Sequence, residues 1–205
     1  MVHYLNKKMS NRFRGFLPVV TDIETAGFNP NTDALLEIAI VLLAINEEGK
    51  IEPQETHFCH VLPFPDANLD PAALEFTQID PYHPFRFAVS EAEALSQIFA
   101  PIQQALEQYR CQRAVLVGHN PSFDLSFISA ASKRCQIANP FHPFTTFDTA
   151  TLAGMAYGET VLARACKTAR IPFDPKEAHS AIYDAERTAE LFCGIINRWP
   201  LNTNK

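Results

Sequence analysis

Strand-like segments come first in this chain, and helix-like segments alternate with strands only later. Phe16–Asp22 is rich in Val and bounded by loop residues. Leu35–Ile45 is a long apolar run that turns at Asn46-Glu47-Glu48-Gly49, and Thr56–Leu62 supplies a third strand. Pro-rich loops follow, with a short helical piece at Pro71–Thr77. Ser90 with Glu93 three residues on is a capping box, and apolar residues then recur at 94, 95, 98, 99, 102, 105 and 106. Pro101 is placed to kink that helix. Ala114–His119 is a fourth strand, followed by a helix from Ser122 to Gln136. A short fifth strand is expected at Thr145–Phe147, and helices near 149–157, 160–169 and 180–198. This order predicts an α/β fold, a mixed sheet flanked by helices. An antiparallel meander comes first, then parallel crossovers.

At 205 residues and 47% apolar, the chain has material for a single domain with a sizeable core. Its five cysteines stand apart, at 59, 111, 135, 166 and 193, without metal-finger spacing. They read as reduced thiols of a cytoplasmic protein. No signal peptide and no membrane-spanning run is visible. The net charge is −6, but it is unevenly spread. Residues 1–14 hold Lys7, Lys8, Arg12 and Arg14 and no acid. A basic N-terminal segment of about 15 residues on an acidic body fits a local phosphate contact, and equally a solvated tail.

The stretch Val19-Val20-Thr21-Asp22-Ile23-Glu24 ends an apolar strand with two carboxylates one residue apart. Residues i and i+2 of a strand face the same way. Asp22 and Glu24 therefore project together, at a strand end where open α/β sheets bind ligands. Ionised, they repel each other and resist burial. Mg²⁺ or Mn²⁺ would cancel that repulsion, since both take hard oxygen ligands. Two further segments carry acids: Asp124 early in the helix after the fourth strand, and His179 with Asp184 at the start of the last helix. Four such acids can hold two divalent ions, and His179 can take a proton from an attacking water.

"DIET", "HNPSFD" and "HSAIYD", in this order, resemble the motifs of the DEDD exonuclease superfamily in its H-x4-D branch. The sister branch uses Y-x3-D, and Tyr183 is followed by Arg187 at that spacing, so it does not fit. Longer stretches, "FRGFLPVVTDIETAGFNPNTDALLEIA" and "NPFHPFTTFDTA" among them, are similar to RNA-trimming members of the branch from about Arg12 to Trp199. The resemblance implies an RNase H-like fold, two Mg²⁺ per subunit, and a homodimer that trims the 3′ ends of tRNA and other stable RNAs, rRNA precursors included. It also implies degradation of single-stranded DNA. Asp22, Glu24, Asp124 and Asp184 then become metal ligands and His179 the general base.

Phe28 and Phe123 neighbour the acids in sequence and offer faces for base stacking. The resemblance adds Phe76 and Phe144 to the stacking set. It also matches Arg12, Arg14 and Arg113 to basic positions that bind nucleic acid away from the catalytic centre. Glu107 and Ile137 or Ala138 stand where further lysines are expected, with Arg110, Lys133 and Arg134 nearby as substitutes. Asp148 reads as a helix N-cap, Glu37 as a supporting acid, His119 and Asn120 as loop-orienting groups, and His142 as a loop residue. A DNA-directed proofreading exonuclease and an inactive nucleic-acid-binding module are the competing readings.

Overall fold

The computed structural model describes residues 9–199; Lys7 and Lys8 of the basic segment lie outside the described residues. Five strands form one sheet: β1 (Phe16–Thr25), β2 (Leu35–Ile45), β3 (Ile51–His60), β4 (Arg113–Gly118) and β5 (Phe141–Asp148). Their order is β3-β2-β1-β4-β5. β1–β2 and β2–β3 are antiparallel, whereas β1–β4 and β4–β5 are parallel. This is the expected meander followed by crossovers, and it puts β1 in the middle. After β3 come the α-helices α1 (Pro71–Thr77), α2 (Glu91–Tyr109), α3 (Ser122–Cys135), α4 (Thr149–Tyr157), α5 (Leu162–Ala169) and α6 (Ala181–Ile196).

β2 is buried along its whole length except Ala44, because helices α2 and α6 both pack against it. That double cover is why its sequence is continuously apolar rather than alternating. Leu17, Val19 and Val20 of β1, Leu95 and Ile98 of α2, Phe127 of α3, Phe141 of β5 and Phe192 of α6 all join one core. α2 begins at the predicted cap, where Ser90 Oγ accepts from the Glu93 amide at 3.2 Å, and it runs through Pro101.

The strand boundaries differ from the sequence reading most at β1, β3 and β5. β1 continues three residues past Asp22, because β2 keeps pairing with it through Glu24↔Glu37 and, after a register shift, Thr25↔Leu35. β3 starts at Ile51, five residues early, behind a turn in which Asn46 Oδ1 accepts from the Glu48 and Lys50 amides. Its opening residues, Glu52-Pro53-Gln54-Glu55, are exposed, and polar residues with a proline are what a sheet edge tolerates. β5 is longer than Thr145–Phe147 and takes in His142, which is a strand residue and not a loop residue. The five cysteines are free thiols, with Cys59, Cys166 and Cys193 buried. No helix among the described residues is long and apolar enough to cross a membrane.

Candidate active site

β1 carries Asp22 and Glu24 on one face, two residues apart. α3 opens just after β4, and Asp124 sits buried in its first turn. The Ile23 amide of β1 favours the ionised form of the Asp124 carboxylate. α6 supplies Asp184, also from a first turn. The H-x4-D spacing has a direct cause: the His179 amide donates to Asp184 Oδ2 at 3.1 Å, and the Asp184 amide donates to the Ser180 carbonyl at 2.9 Å. Glu37, opposite Glu24 in the β1–β2 ladder, accepts from the Ala181 amide at 3.2 Å and so fixes the start of α6. His60 Nδ1 lies 3.0 Å from its other oxygen.

The acids therefore converge, and their electrostatics record the crowding. Asp22 is pushed well above the usual carboxylate range, first by burial and then by Asp124, Glu24, Asp184 and Glu37. Glu24 is raised to about 8, by burial and then by Glu37, Asp184 and Asp124. Burial lifts Asp124 to about 7 against the pull of two backbone amides. Asp184 is raised by burial, partly offset by the His179 amide and the His179 and His119 imidazoles. Among the described residues, no lysine or arginine acts on any of the four. Carboxylate oxygens of Glu24 and Asp184 and a ring nitrogen of His179 lie within 4.8 Å of one another. Asp184 Oδ1 is buried with no hydrogen-bond partner. A lone oxygen of that kind costs about 1–3 kcal/mol unless something binds it. Clustered carboxylates beside an imidazole, net negative and with an orphaned oxygen, fit a divalent cation.

His179 has φ +66°, a backbone region few non-glycine residues occupy. Its amide faces Asp184, and its ring lies against Phe76 at 4.3 Å between centroids. Beside Glu24 opens a cleft of about 360 Å³ walled by Phe28, Phe76 and Phe123. Phe28 is 83% exposed and Phe76 64%, so core packing does not account for either. Phe123 is half-buried and also packs on the core residue Phe127 at 5.0 Å. The Phe28 loop is clamped by Asp33, which accepts from the Asn29 amide, Thr32 Oγ1 and Asn68 Nδ2. A Cβ on Gly27 would lie 2.0 Å from Asp33 Oδ2, so the clamp requires glycine there. Sequence reading missed this clamp; its signal was the Asn-Pro-Asn-Thr-Asp composition of residues 29–33.

Phe144 is not part of the cleft. It is exposed on edge strand β5 and packs on His142, which in turn meets Phe16 at the start of β1. The basic residues gather at that same end: Arg113 stands opposite Phe16 in the ladder, and Arg12 and Arg14 line a groove with Phe13, Phe16 and Phe147. Arg14 and Arg113 are exposed. Arg12 is half-committed to the fold, since its guanidinium donates to the Ile196 carbonyl at 2.7 Å at the C-terminus of α6. Arg134 is engaged too, bound to Glu91 at 2.7 Å and to the Pro30 carbonyl at 2.8 Å. Asp148 is the N-cap of α4, accepting from Ala150 and Thr151 and also from the Asn120 amide. His119 bridges Thr149 Oγ1 at 3.0 Å and the Thr160 carbonyl at 2.8 Å.

A family model described as "Exonuclease" matches residues 19–192. The chain is 64% identical over 192 residues to the protein named Ribonuclease T of Marinobacter nauticus, covering 93% of this chain and 87% of that one. The chain belongs to the ribonuclease T family of DEDDh exonucleases. Its fold matches E. coli Exonuclease I in complex with a dT13 oligonucleotide, with a TM-score of 0.65 at 19% identity over 86% of this chain. It also matches the zinc-bound form of E. coli ExoI with ssDNA, at 0.67 and 18% over 90% of this chain. The chain spans about 40% of the length of these exonuclease I chains. That likeness establishes the RNase H-like sheet; the family follows from the closer relative.

Proposed function

We propose that this member of the ribonuclease T family, a 3′→5′ exoribonuclease, trims the 3′ ends of tRNA, rRNA precursors and other stable RNAs in the cytoplasm, and also degrades single-stranded DNA. The observation that carries this reading is the convergence of Asp22, Glu24, Asp124 and Asp184, with no neutralising cation side chain, beside an open aromatic cleft. These four acids would hold two Mg²⁺. Bound there, the ions would offset charge on the scissile phosphate and acidify the attacking water.

The chain's own residues do the rest. Phe28, Phe76 and Phe123 take the terminal bases on their faces, which every base has, so trimming needs no fixed sequence. His179 accepts the proton of the attacking water. The new P–O bond forms as the P–O3′ bond breaks, which releases a nucleoside 5′-monophosphate and a shortened 3′-hydroxyl end. Glu37 and the His179 amide hold the start of α6, so that Asp184 meets β1 in a fixed place.

The basic end supports a homodimer. Phe16, level with Arg113, is six residues from Asp22 on β1, about 20 Å at the rise of a strand. Arg14 and Arg113 are thus poorly placed to hold RNA at their own subunit's acids. A two-fold dimer would set them, with Phe144, beside the partner's site. To test the chemistry, 5′-labelled tRNA is incubated with Mg²⁺. Stepwise shortening with release of 5′-monophosphates is expected, and Asp22→Asn is expected to abolish it. Substantial activity in that variant would refute the metal-ligand assignment. To test the assembly, Asp22→Asn subunits are mixed with Arg14→Ala/Arg113→Ala subunits. Activity should reappear in heterodimers, and heterodimers that stay inactive would sink the cross-subunit arrangement.

A further inference from the structure

A second groove, of about 500 Å³, lies along α5 and the segment after it, and its walls carry Arg164, Lys167 and Arg170 with Phe173. The three cations are exposed, and no acid among the described residues lines the groove. Among the described residues none of the three enters an ion pair, unlike Arg134 and Arg187, which hold Glu91 and Glu190. Asp174, the nearest acid along the chain, is turned into its own loop, where its Oδ1 accepts from the Lys176 amide at 3.0 Å. Three unpaired cations in one groove stand out on a chain whose net charge is −6.

The groove is tied to the helix that carries Asp184. Phe173 packs edge-on against Tyr183 at 5.4 Å, and Tyr183 precedes Asp184 in α6. The Asp174 amide donates to the Tyr183 hydroxyl, which fastens the groove's floor to the same helix. At the other end of α5, the Thr160 carbonyl is held by His119 Nε2 at 2.8 Å.

We propose that the Arg164–Lys167–Arg170 groove binds the phosphate backbone of the substrate RNA upstream of its 3′ end, within the subunit that performs the cleavage. This rests on the exonuclease reading of the acids. It also answers a deficit: Glu107 and Ile137 or Ala138 stand where lysines were expected, and Arg134 is bound to Glu91. Phe173 gives the strand an aromatic face beside the cations, the combination that single-stranded nucleic acid favours. No base edge is read, so the contact adds affinity without sequence preference.

The test measures binding apart from cleavage. Fluorescence anisotropy follows a 20-nucleotide RNA in EDTA over a range of salt, for wild type and for Arg164→Ala/Lys167→Ala/Arg170→Ala. Each phosphate contact on a single strand contributes about 0.7 to the salt slope. The triple variant should therefore lose roughly 2 from the slope, and its affinity in 0.1 M salt should fall about 10- to 100-fold. Arg164→Lys/Arg170→Lys keeps the charges and should keep the slope. Lys50→Ala, a charge loss at the β2–β3 turn, is the control and should change nothing. Circular dichroism checks the fold. Should the triple variant be unfolded, Lys167→Glu on the exposed face of α5 replaces it and should weaken binding at least tenfold. A slope and affinity equal to wild type would overturn the proposal. Failure of the metal reading looks different: RNA would bind with the full slope, yet Asp22→Asn would still cleave it.

Discussion

Replacing Asp22 by Asn should make the metal-free protein more stable at pH 8 while it removes activity. Every charge acting on Asp22 is another carboxylate, so its ionisation opposes folding. The sign follows from proton linkage. A carboxyl whose folded pKa is raised above its unfolded value costs nothing at low pH, where it is protonated in both states. Its penalty grows as pH climbs from the unfolded value towards the folded one. Glu24 gives the scale: raised from 4.5 to about 8, it lowers stability by roughly 4–5 kcal/mol once fully ionised, at about 1.4 kcal/mol per pKa unit. Asn at 22 keeps the shape, removes one member of the repelling set, and also lets Glu24 and Asp184 ionise at less cost. A gain of about 1–3 kcal/mol at pH 8, some 2–10 °C in Tm for a chain of this size, is expected without divalent ions. At pH 5 the gain should nearly vanish. Mg²⁺ should stabilise wild type more than the variant, because the variant has lost an oxygen ligand. Urea unfolding followed by circular dichroism at pH 5 and pH 8, with EDTA or Mg²⁺, measures all four conditions. A variant that is equally destabilised at both pH values in EDTA would refute the reasoning.

His179→Ala should lower kcat by about 10²- to 10⁴-fold with KM little changed, as expected for a positioned base; single-turnover kinetics across neutral pH check this. Phe28→Ala should weaken binding of the 3′ nucleotides by about 1–3 kcal/mol and leave Tm unchanged, since the ring is 83% exposed. Phe123→Ala should weaken binding and lower Tm as well, because that ring bridges the cleft and the core. Phe127→Ala, fully buried, should cost about 3–5 kcal/mol of stability in urea unfolding.

The acids were legible because each lies at a fixed offset from a local signal. A two-residue period puts Asp22 with Glu24, and a first helical turn places Asp124 and Asp184. The His179–Asp184 spacing is likewise closed by a hydrogen bond five residues long. Asp148 was legible as a cap for the same reason. What stayed hidden depends on contacts between distant parts of the chain. Arg12 looked like part of a free arm, yet it serves a carbonyl 184 residues away. Arg134 looked available, yet Glu91, 43 residues earlier, holds it. Asp33 and Asn68 pin the Phe28 loop across 35 residues, which no local pattern records. The early start of β3 was hidden differently: edge residues face water, so their polarity mimics a loop.

The site begins where strand pairing stops. β4 pairs with β1 only as far as Val20↔Val117, while β2 continues to Glu24 and beyond. Beyond Val20 no β4 residue pairs with β1, and there the Ile23 amide favours the ionised form of the Asp124 carboxylate against its burial. Asp124 thus has two tasks, a metal-facing charge and an interaction with the Ile23 amide, and two substitutions separate them. Asp124→Asn keeps an oxygen for the Ile23 amide and removes the charge. It should lose activity and hold its Tm, or raise it above neutral pH, since a carboxyl with a pKa near 7 no longer has to ionise in a buried place. Asp124→Ala removes both. It should lose activity and also about 1–3 kcal/mol of stability, the cost of a buried amide left without an acceptor. Hydrogen exchange at the Ile23 amide reports the difference directly, slow in Asp124→Asn and faster in Asp124→Ala. Equal exchange and equal Tm in the two variants would show that Asp124 serves the metal site alone.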